Sequence, residues 1–212
     1  MEIHLQHIIP HPMQELPLED TEVWRKQVTI KSDSHSVVYA ASGKGKTSLL
    51  NIIYGLRQDY EGDVLIDGRS LKLLKHRDWV AIRRKKIAYV PQGLWLFDHL
   101  TGIENILLKN RITNHLQKEQ IQEYLKQAGM YAYQHQEAGT LSFGQQQRIA
   151  IIRALCQPFQ LIMLDEAFSH LDATNRAILM QIIRQEAAEQ NAGILLSSLH
   201  KPENEYEQVL KL

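Results

Sequence analysis

The stretch VVYAASGKGKTSLLNII, Val37 to Ile53, constrains this chain more than any other: a β-rich run, a loop carrying Gly43 and Gly45, then a helix-forming sequence. Strand, glycine loop and helix in that order form a phosphate cradle. The backbone amides of Gly43 to Ser48 are expected to line the β- and γ-phosphates of a nucleotide, assisted by the helix N-terminus. Lys46 is expected to reach those phosphates as a point charge, and Thr47 to offer its hydroxyl to Mg²⁺. The candidate nucleotide-binding residues here are therefore Ser42, Gly43, Lys44, Gly45, Lys46, Thr47 and Ser48. Ala40 opens the motif where a glycine is usual, and a positive φ there would cost an alanine about 1–3 kcal/mol.

Two further motifs follow in a fixed order. LSFGQQQR, Leu141 to Arg148, places a Ser hydroxyl and a bare Gly amide at the start of a helix, which makes an anion site. That helix turns an apolar face inward through Ile149, Ile152 and Cys156. LIMLDE, Leu161 to Glu166, is an apolar strand ending in two carboxylates, and a buried strand tolerates acids at its C-terminal end chiefly where a ligand or metal waits. Asp165 is the candidate for holding Mg²⁺ through water and Glu166 for polarising an attacking water, a task that needs geometry more than a shifted pKa.

Short β-rich runs occur at Ile3 to Ile9, Val23 to Ile30, Ser36 to Tyr39, Val64 to Ile66, Ile87 to Val90, Leu161 to Leu164 and Gly193 to Ser197, with helical stretches between many of them. This alternation predicts an α/β sheet whose later strands are buried on both faces. Ile103 to Lys109 and Asn114 to Met130 read as helices, the second opened by an Asn114 cap. A helical subdomain over 93–140 is expected to interrupt a core made of 1–92 and 141–212. The 212 residues suffice for one such domain and hardly for two. Twenty-four Lys and Arg balance 24 Asp and Glu, so no net field draws the protein to nucleic acid. A single cysteine and an N-terminus without a signal-peptide pattern fit a cytoplasmic protein. With no apolar run of the ~20 residues a membrane span needs, association with a membrane is expected to go through a partner.

The three motifs, with Gln92 in YVPQG, Ser169 to Asp172 in SHLD and His200 in SSLH, resemble the nucleotide-binding subunit of ATP-binding cassette (ABC) transporters over nearly the whole chain. The resemblance implies a P-loop NTPase (RecA-like) core with an antiparallel β edge and an inserted helical subdomain. It implies ATP and Mg²⁺ as cofactors, with Gln92 touching Mg²⁺ and the attacking water and His200 the γ-phosphate. Ser142, Gly144 and Gln145 would bind ATP held by the opposite chain, and Asp172 with its neighbours would bridge the two. The expected assembly is a head-to-tail homodimer driving a transmembrane permease subunit that docks near Gln92 to Thr101. EGDVLIDGRSL, RRKKIAYVPQ and LFDHLTGIENIL look most similar to the lipoprotein-release, macrolide-export and cell-division group. A soluble nucleotide-dependent assembly or regulatory switch is the alternative.

The chain departs from the family pattern in places. Phe143 stands where a glycine is usual, on the expected dimer face. HIIPHPMQ has no aromatic for stacking on adenine, offering His11 and Met13 instead, while Trp24 and Tyr39 read as core residues. His4, His7 and His11 have helical spacing but lie on a strand that runs into prolines, which argues against a metal face. Arg83 to Lys86 reads as a solvated end, and Leu94 to Phe97 as either subdomain core or an exposed patch for a membrane partner.

Overall fold

The computed structural model describes residues 1–18, 20–202 and 206–212. In chain order its elements are β1 (Glu2–Pro10), β2 (Gln27–Lys31), β3 (His35–Tyr39), α1 (Lys46–Ile53), β4 (Tyr60–Ile66), β5 (Arg69–Ser70), α2 (His76–Lys85) and β6 (Ile87–Val90). These are followed by α3 (Gly102–Thr113), α4 (Lys118–Gln127), α5 (Phe143–Leu155), β7 (Leu161–Asp165), α6 (Ala173–Glu189), β8 (Gly193–Ser198) and β9 (Gln208–Lys211).

Two sheets result. A parallel sheet runs β6-β7-β8-β3-β9, and an antiparallel one runs β2-β1-β4-β5. Period-2 alternation divides the parallel sheet between two cores. Val37, Ala88, Val90, Ile162, Leu164, Ile194 and Leu196 join the residues of α3 to α6 on one side. Val38, Ile87, Tyr89, Leu161, Met163 and Leu195 face the other way, where Leu49, Leu50, Ile52 and Ile53 of α1 fill the space beneath the antiparallel sheet. Because both faces are covered, the central strands read as continuous apolar runs. The phosphate-cradle helix is thereby clamped between two sheets, and the ends of β3, β6, β7 and β8 are brought to one edge.

Several local expectations change. The strand expected from Val23 begins only at Gln27: Val23 and Trp24 are fully buried under the P-loop, and Arg25 turns the chain with φ 60°. Asn114 closes α3 at φ 50° and does not open the next helix, while Asn110 takes up both the amide and the carbonyl of Leu116, so α4 starts at Lys118. Asparagine suits either position, since its side chain caps N-termini and its backbone tolerates the left-handed region.

Arg83 to Lys86 is not a simple solvated end. Arg83 donates to the carbonyls of Tyr54 and Gly55 and stacks on the Tyr54 and Trp79 rings, Arg84 donates to the Ile112 carbonyl, and Lys86 pairs with Asp67 at 2.6 Å. His4 and His7 bond to Thr29 and to the Arg25 carbonyl, and no cluster of metal-ligating side chains forms among the described residues.

Candidate functional site

The P-loop turns at Gly43 (φ 78°) and Gly45 (φ 93°), angles that favour glycine. A Cβ on Gly45 would also lie 2.8 Å from Met13 Sδ and from the Trp24 ring. Trp24 Nε1 donates to the Lys44 carbonyl at 3.3 Å. Met13 and Trp24 thus brace the loop from beneath, and Trp24 is core as the sequence suggests. Ala40 does not have a positive φ, so the strain anticipated for it is absent; its amide donates to Ser198 at the end of β8.

Lys46, buried at the start of α1, sends its ammonium to the carbonyls of Ala40 (2.8 Å) and Ala41 (3.1 Å) and to Glu166 Oε1 (3.2 Å). Thr47 Oγ1 lies 3.4 Å from Gln92 Oε1, which extends from the loop after β6. Asp165, at the end of β7, is fully buried: Oδ1 accepts from Ser197 Oγ at 2.8 Å, and Oδ2 has no hydrogen-bond partner. Burial is the main influence on Asp165 and raises its pKa, opposed by the Ser197 hydrogen bond and by the nearby Thr47 hydroxyl and Lys46 ammonium. Glu166 adopts φ 49°, an uncommon angle for a side-chain-bearing residue, and its amide is held by Ser197 Oγ at 3.0 Å. Lys46, Thr47, Gln92, Asp165 and Glu166 therefore meet at one sheet edge. The orphaned Asp165 oxygen beside the Thr47 and Gln92 oxygens is a hard-oxygen donor set of the kind Mg²⁺ takes. His200 and Glu166 line one cavity of about 340 Å³.

Ser48 is positioned differently, its hydroxyl accepting from Arg57 at 2.7 Å. Ser197 was not anticipated. It pairs in register with Asp165 across β7 and β8, and a hydroxyl ending an apolar strand beside an acidic one was the available signal.

Ser142, Gly144 and Gln145 start α5 and make no hydrogen bond to the P-loop of their own chain among the described residues. Ser142 Oγ accepts from the Gln145 amide and Gln145 Oε1 from the Ser142 amide, a reciprocal cap. Gly144 packs so closely on the SHLD loop that a Cβ would sit 2.9 Å from the His170 carbonyl. Phe143 remains exposed, its ring edge-on to His170 at 4.5 Å. Asp172 caps α6, accepting from Asn175 at 2.8 Å and 2.6 Å, and these bonds hold its pKa below the usual carboxylate value.

Leu94 to Phe97 divides in two. Leu94 is buried and Leu96 packs on the core, while Trp95 and Phe97 are half exposed. Leu94 and Trp95 both have positive φ, and Arg153 of α5 donates to both of their carbonyls, which holds this turn in place.

A glycine loop feeding a helix from a parallel sheet, with an acidic pair at a neighbouring strand end, defines a P-loop nucleotide-binding module. The ABC transporter family profile matches residues 25–169, and the chain belongs to that family. It is 30% identical over 189 residues to the lipoprotein-releasing system ATP-binding protein LolD of Chromohalobacter salexigens, covering 88% of this chain and 79% of that one. It is 33% identical over 154 residues to the molybdate/tungstate import ATP-binding protein WtpC of Pyrococcus abyssi, covering 71% of this chain and 43% of that one. The chain spans less than half the length of that second relative. A bacterial ABC transporter cassette solved as a dimer superposes with a TM-score of 0.76 at 28% identity, covering 92% of this chain and 87% of that one. The same cassette bound to ADP and Pi superposes with a TM-score of 0.77 at 27% identity and the same coverage. The fold is that of an ABC cassette.

Proposed function

We propose that this chain is the ATP-binding and ATP-hydrolysing subunit of an ABC transporter, two copies closing on ATP to drive a separate transmembrane partner. The observation that carries this is the meeting of Lys46, Thr47, Gln92, Asp165 and Glu166 at one sheet edge, with a buried Asp165 oxygen left unpaired. In this reading the amides of Gly43 to Ser48 hold the phosphates, and Lys46 exchanges carbonyl partners for the β- and γ-oxygens. Thr47, Gln92 and Asp165 would hold Mg²⁺. Held there, the metal would offset the charge that develops during phosphoryl transfer. Glu166 orients water for in-line attack on the γ-phosphorus, with ADP as the leaving group, and His200 donates to the γ-phosphate.

Ser142, Gly144 and Gln145 complete the site of a second copy, and Asp172 with the SHLD loop bridges the pair. The relative solved as a dimer supports this arrangement. Residues 93–140 act as a helical subdomain, and the surface from Gln92 to Thr101 receives the permease subunit. Tyr89 links that surface to the site: its ring meets Trp95 edge-on at 5.7 Å, and its hydroxyl bonds Asn51 and is raised in pKa by burial and by Asp165. No helix among the described residues is long and apolar enough to cross a membrane. We place the protein on the cytoplasmic face, held there by its partner.

Steady-state ATPase assays with Glu166→Gln beside wild type test this reading. The expected wild-type rate rises more than linearly with protein, and the variant binds ATP, turns over at least about a hundred-fold more slowly and sediments as a dimer. A variant that stays monomeric with saturating ATP would overturn it.

A further inference from the structure

Helix α1 ends at Ile53, and the chain then doubles back: the amides of Leu56 and Arg57 both donate to the Asn51 carbonyl, at 2.8 and 3.2 Å. This turn aims the half-buried Arg57 side chain back along the helix, where Nη1 donates to Ser48 Oγ at 2.7 Å. Asp59 takes the opposite edge of the guanidinium, accepting from Nε at 2.9 Å and from Nη2 at 2.8 Å, and the fork fixes the guanidinium plane. The Arg57 bonds are the main influence on the Asp59 carboxyl and hold it below the usual carboxylate range. One N–H on each of Nη1 and Nη2 has no acceptor among the described residues. The Asp59 carbonyl accepts from the His11 amide at 3.0 Å, and Met13 of the same turn braces Gly45. Arg57 therefore belongs to the flank of the P-loop.

Thr47 and Ser48 are neighbours on α1, so their side chains leave the helix roughly 100° apart. Thr47 faces Gln92 and the acidic strand end, which leaves Ser48 turned toward the other end of the phosphate run, the α-phosphate. A serine hydroxyl carries one proton. Because the Ser48 oxygen already accepts from a cation, that proton is free to be given to a phosphate oxygen. We infer that Arg57 binds and orients the α-phosphate of the nucleotide, fixing the Ser48 hydroxyl as a donor and adding its own free Nη1 N–H beside it. This rests on the reading of the P-loop as an ATP site and names a contact at the end of the phosphate run away from Mg²⁺. Ser48 Oγ and Arg57 Nη1 lie side by side, so they meet one of the two non-bridging α-oxygens and not the other. Such a contact does not read the base, and its contribution is the same for ATP and GTP.

The test titrates the full-length chain by calorimetry with ATP, GTP and the two α-thio diastereomers of ATP, in EDTA and again in Mg²⁺. Wild type should bind one diastereomer at least about five-fold more weakly than the other. Arg57→Ala, checked for a cooperative melt, should bind ATP and GTP each about ten-fold more weakly and bring the diastereomers within about two-fold of each other. Arg57→Lys keeps the charge and loses the fork, and should fall between the two chains. An arginine that only ties the turn to the helix would, when replaced, lower the melting temperature and leave the diastereomer ratio unchanged, which would overturn the contact. Equal binding of the two diastereomers by wild type would overturn it without any variant. A loss confined to ATP would also overturn it, by assigning Arg57 to the base. Wild type binding neither ATP nor GTP would remove the ATP-site reading and this inference together, whereas ATP binding untouched by Arg57→Ala would remove this inference alone.

Discussion

Asp165 gives one oxygen to Ser197 and keeps the other, in a fully buried position, without a hydrogen bond. A carboxylate so placed is unfavourable in the chain alone and favourable once cationic ligands arrive, so its contribution to stability and its contribution to binding have opposite signs. Burial raises its pKa above the ordinary 3.8, and between these two values the folded chain carries the extra proton while the unfolded chain does not. Stability from this group is therefore present below pH 3.8 and is lost as pH rises through the raised value. Asp165→Asn keeps the acceptor for Ser197 and removes the charge. Without nucleotide it should melt about 2–4 °C higher near neutral pH, on the order of 1 kcal/mol, while losing Mg²⁺-dependent turnover. In melts taken below pH 3.8 the gain should vanish; a gain independent of pH would assign it to packing. Glu166 stores a second local cost in its left-handed backbone, which Ser197 steadies from the neighbouring strand.

The start of α5 combines two functions that one substitution can separate. Ser142 is half of a reciprocal cap with Gln145, and it is also the proposed contact to a phosphate held by the facing copy. Aspartate caps a helix as well as serine does, but it would set a carboxylate against phosphate. Ser142→Asp should thus melt within about 0.5 kcal/mol of wild type and fail to form the ATP-dependent dimer when combined with Glu166→Gln. Ser142→Ala should lose about 1 kcal/mol from the missing cap. Paired melts and sedimentation separate these outcomes, and dimerisation by the Ser142→Asp chain would remove the phosphate contact.

Elements of this kind were legible in the sequence to the extent that their signals were local. Ile87 to Val90 is continuous apolar sequence because the strand is covered on both faces, and its bounds agree with the structure. LIMLDE reads as a strand for the same reason. Val23 and Trp24 looked like a strand start because burial alone does not distinguish pairing in a sheet from packing beneath a loop. Arg83 looked solvated because its partners, the carbonyls of Tyr54 and Gly55, lie in a turn some thirty positions earlier that no local pattern marks. The P-loop and acidic residues were named from spacing, whereas the roles of Ser197 and Arg153 depend on tertiary register, which sets Ser197 beside Asp165 and Arg153 against the Leu94 and Trp95 carbonyls.

Across the whole molecule, the P-loop lies after β3, whereas Ser142 and Gly144 open a helix on the opposite face of the parallel sheet. Gly144 and Phe143 pack on His170, so the α5 start and the SHLD loop form one continuous exposed surface. If that surface serves the facing copy, each ATP site takes its P-loop from one chain and its cap from the other, and a dimer holds two such sites related by a twofold axis. Lys46→Ala disables the P-loop half and Ser142→Asp the facing half, so either homodimer should be inactive. In a mixed dimer, one site combines both defects while the other combines the intact P-loop of the Ser142→Asp chain with the intact cap of the Lys46→Ala chain. Equal mixing gives mixed dimers half of the time, each with one working site of two, so independent sites should recover about a quarter of wild-type ATPase activity. Recovery well below that, with the mixed dimers verified by differential tagging, would mean that the two sites must fire together. Failure of the two variants to form mixed dimers in ATP, with both shown to be folded, would mean that Ser142 does not complete the facing site.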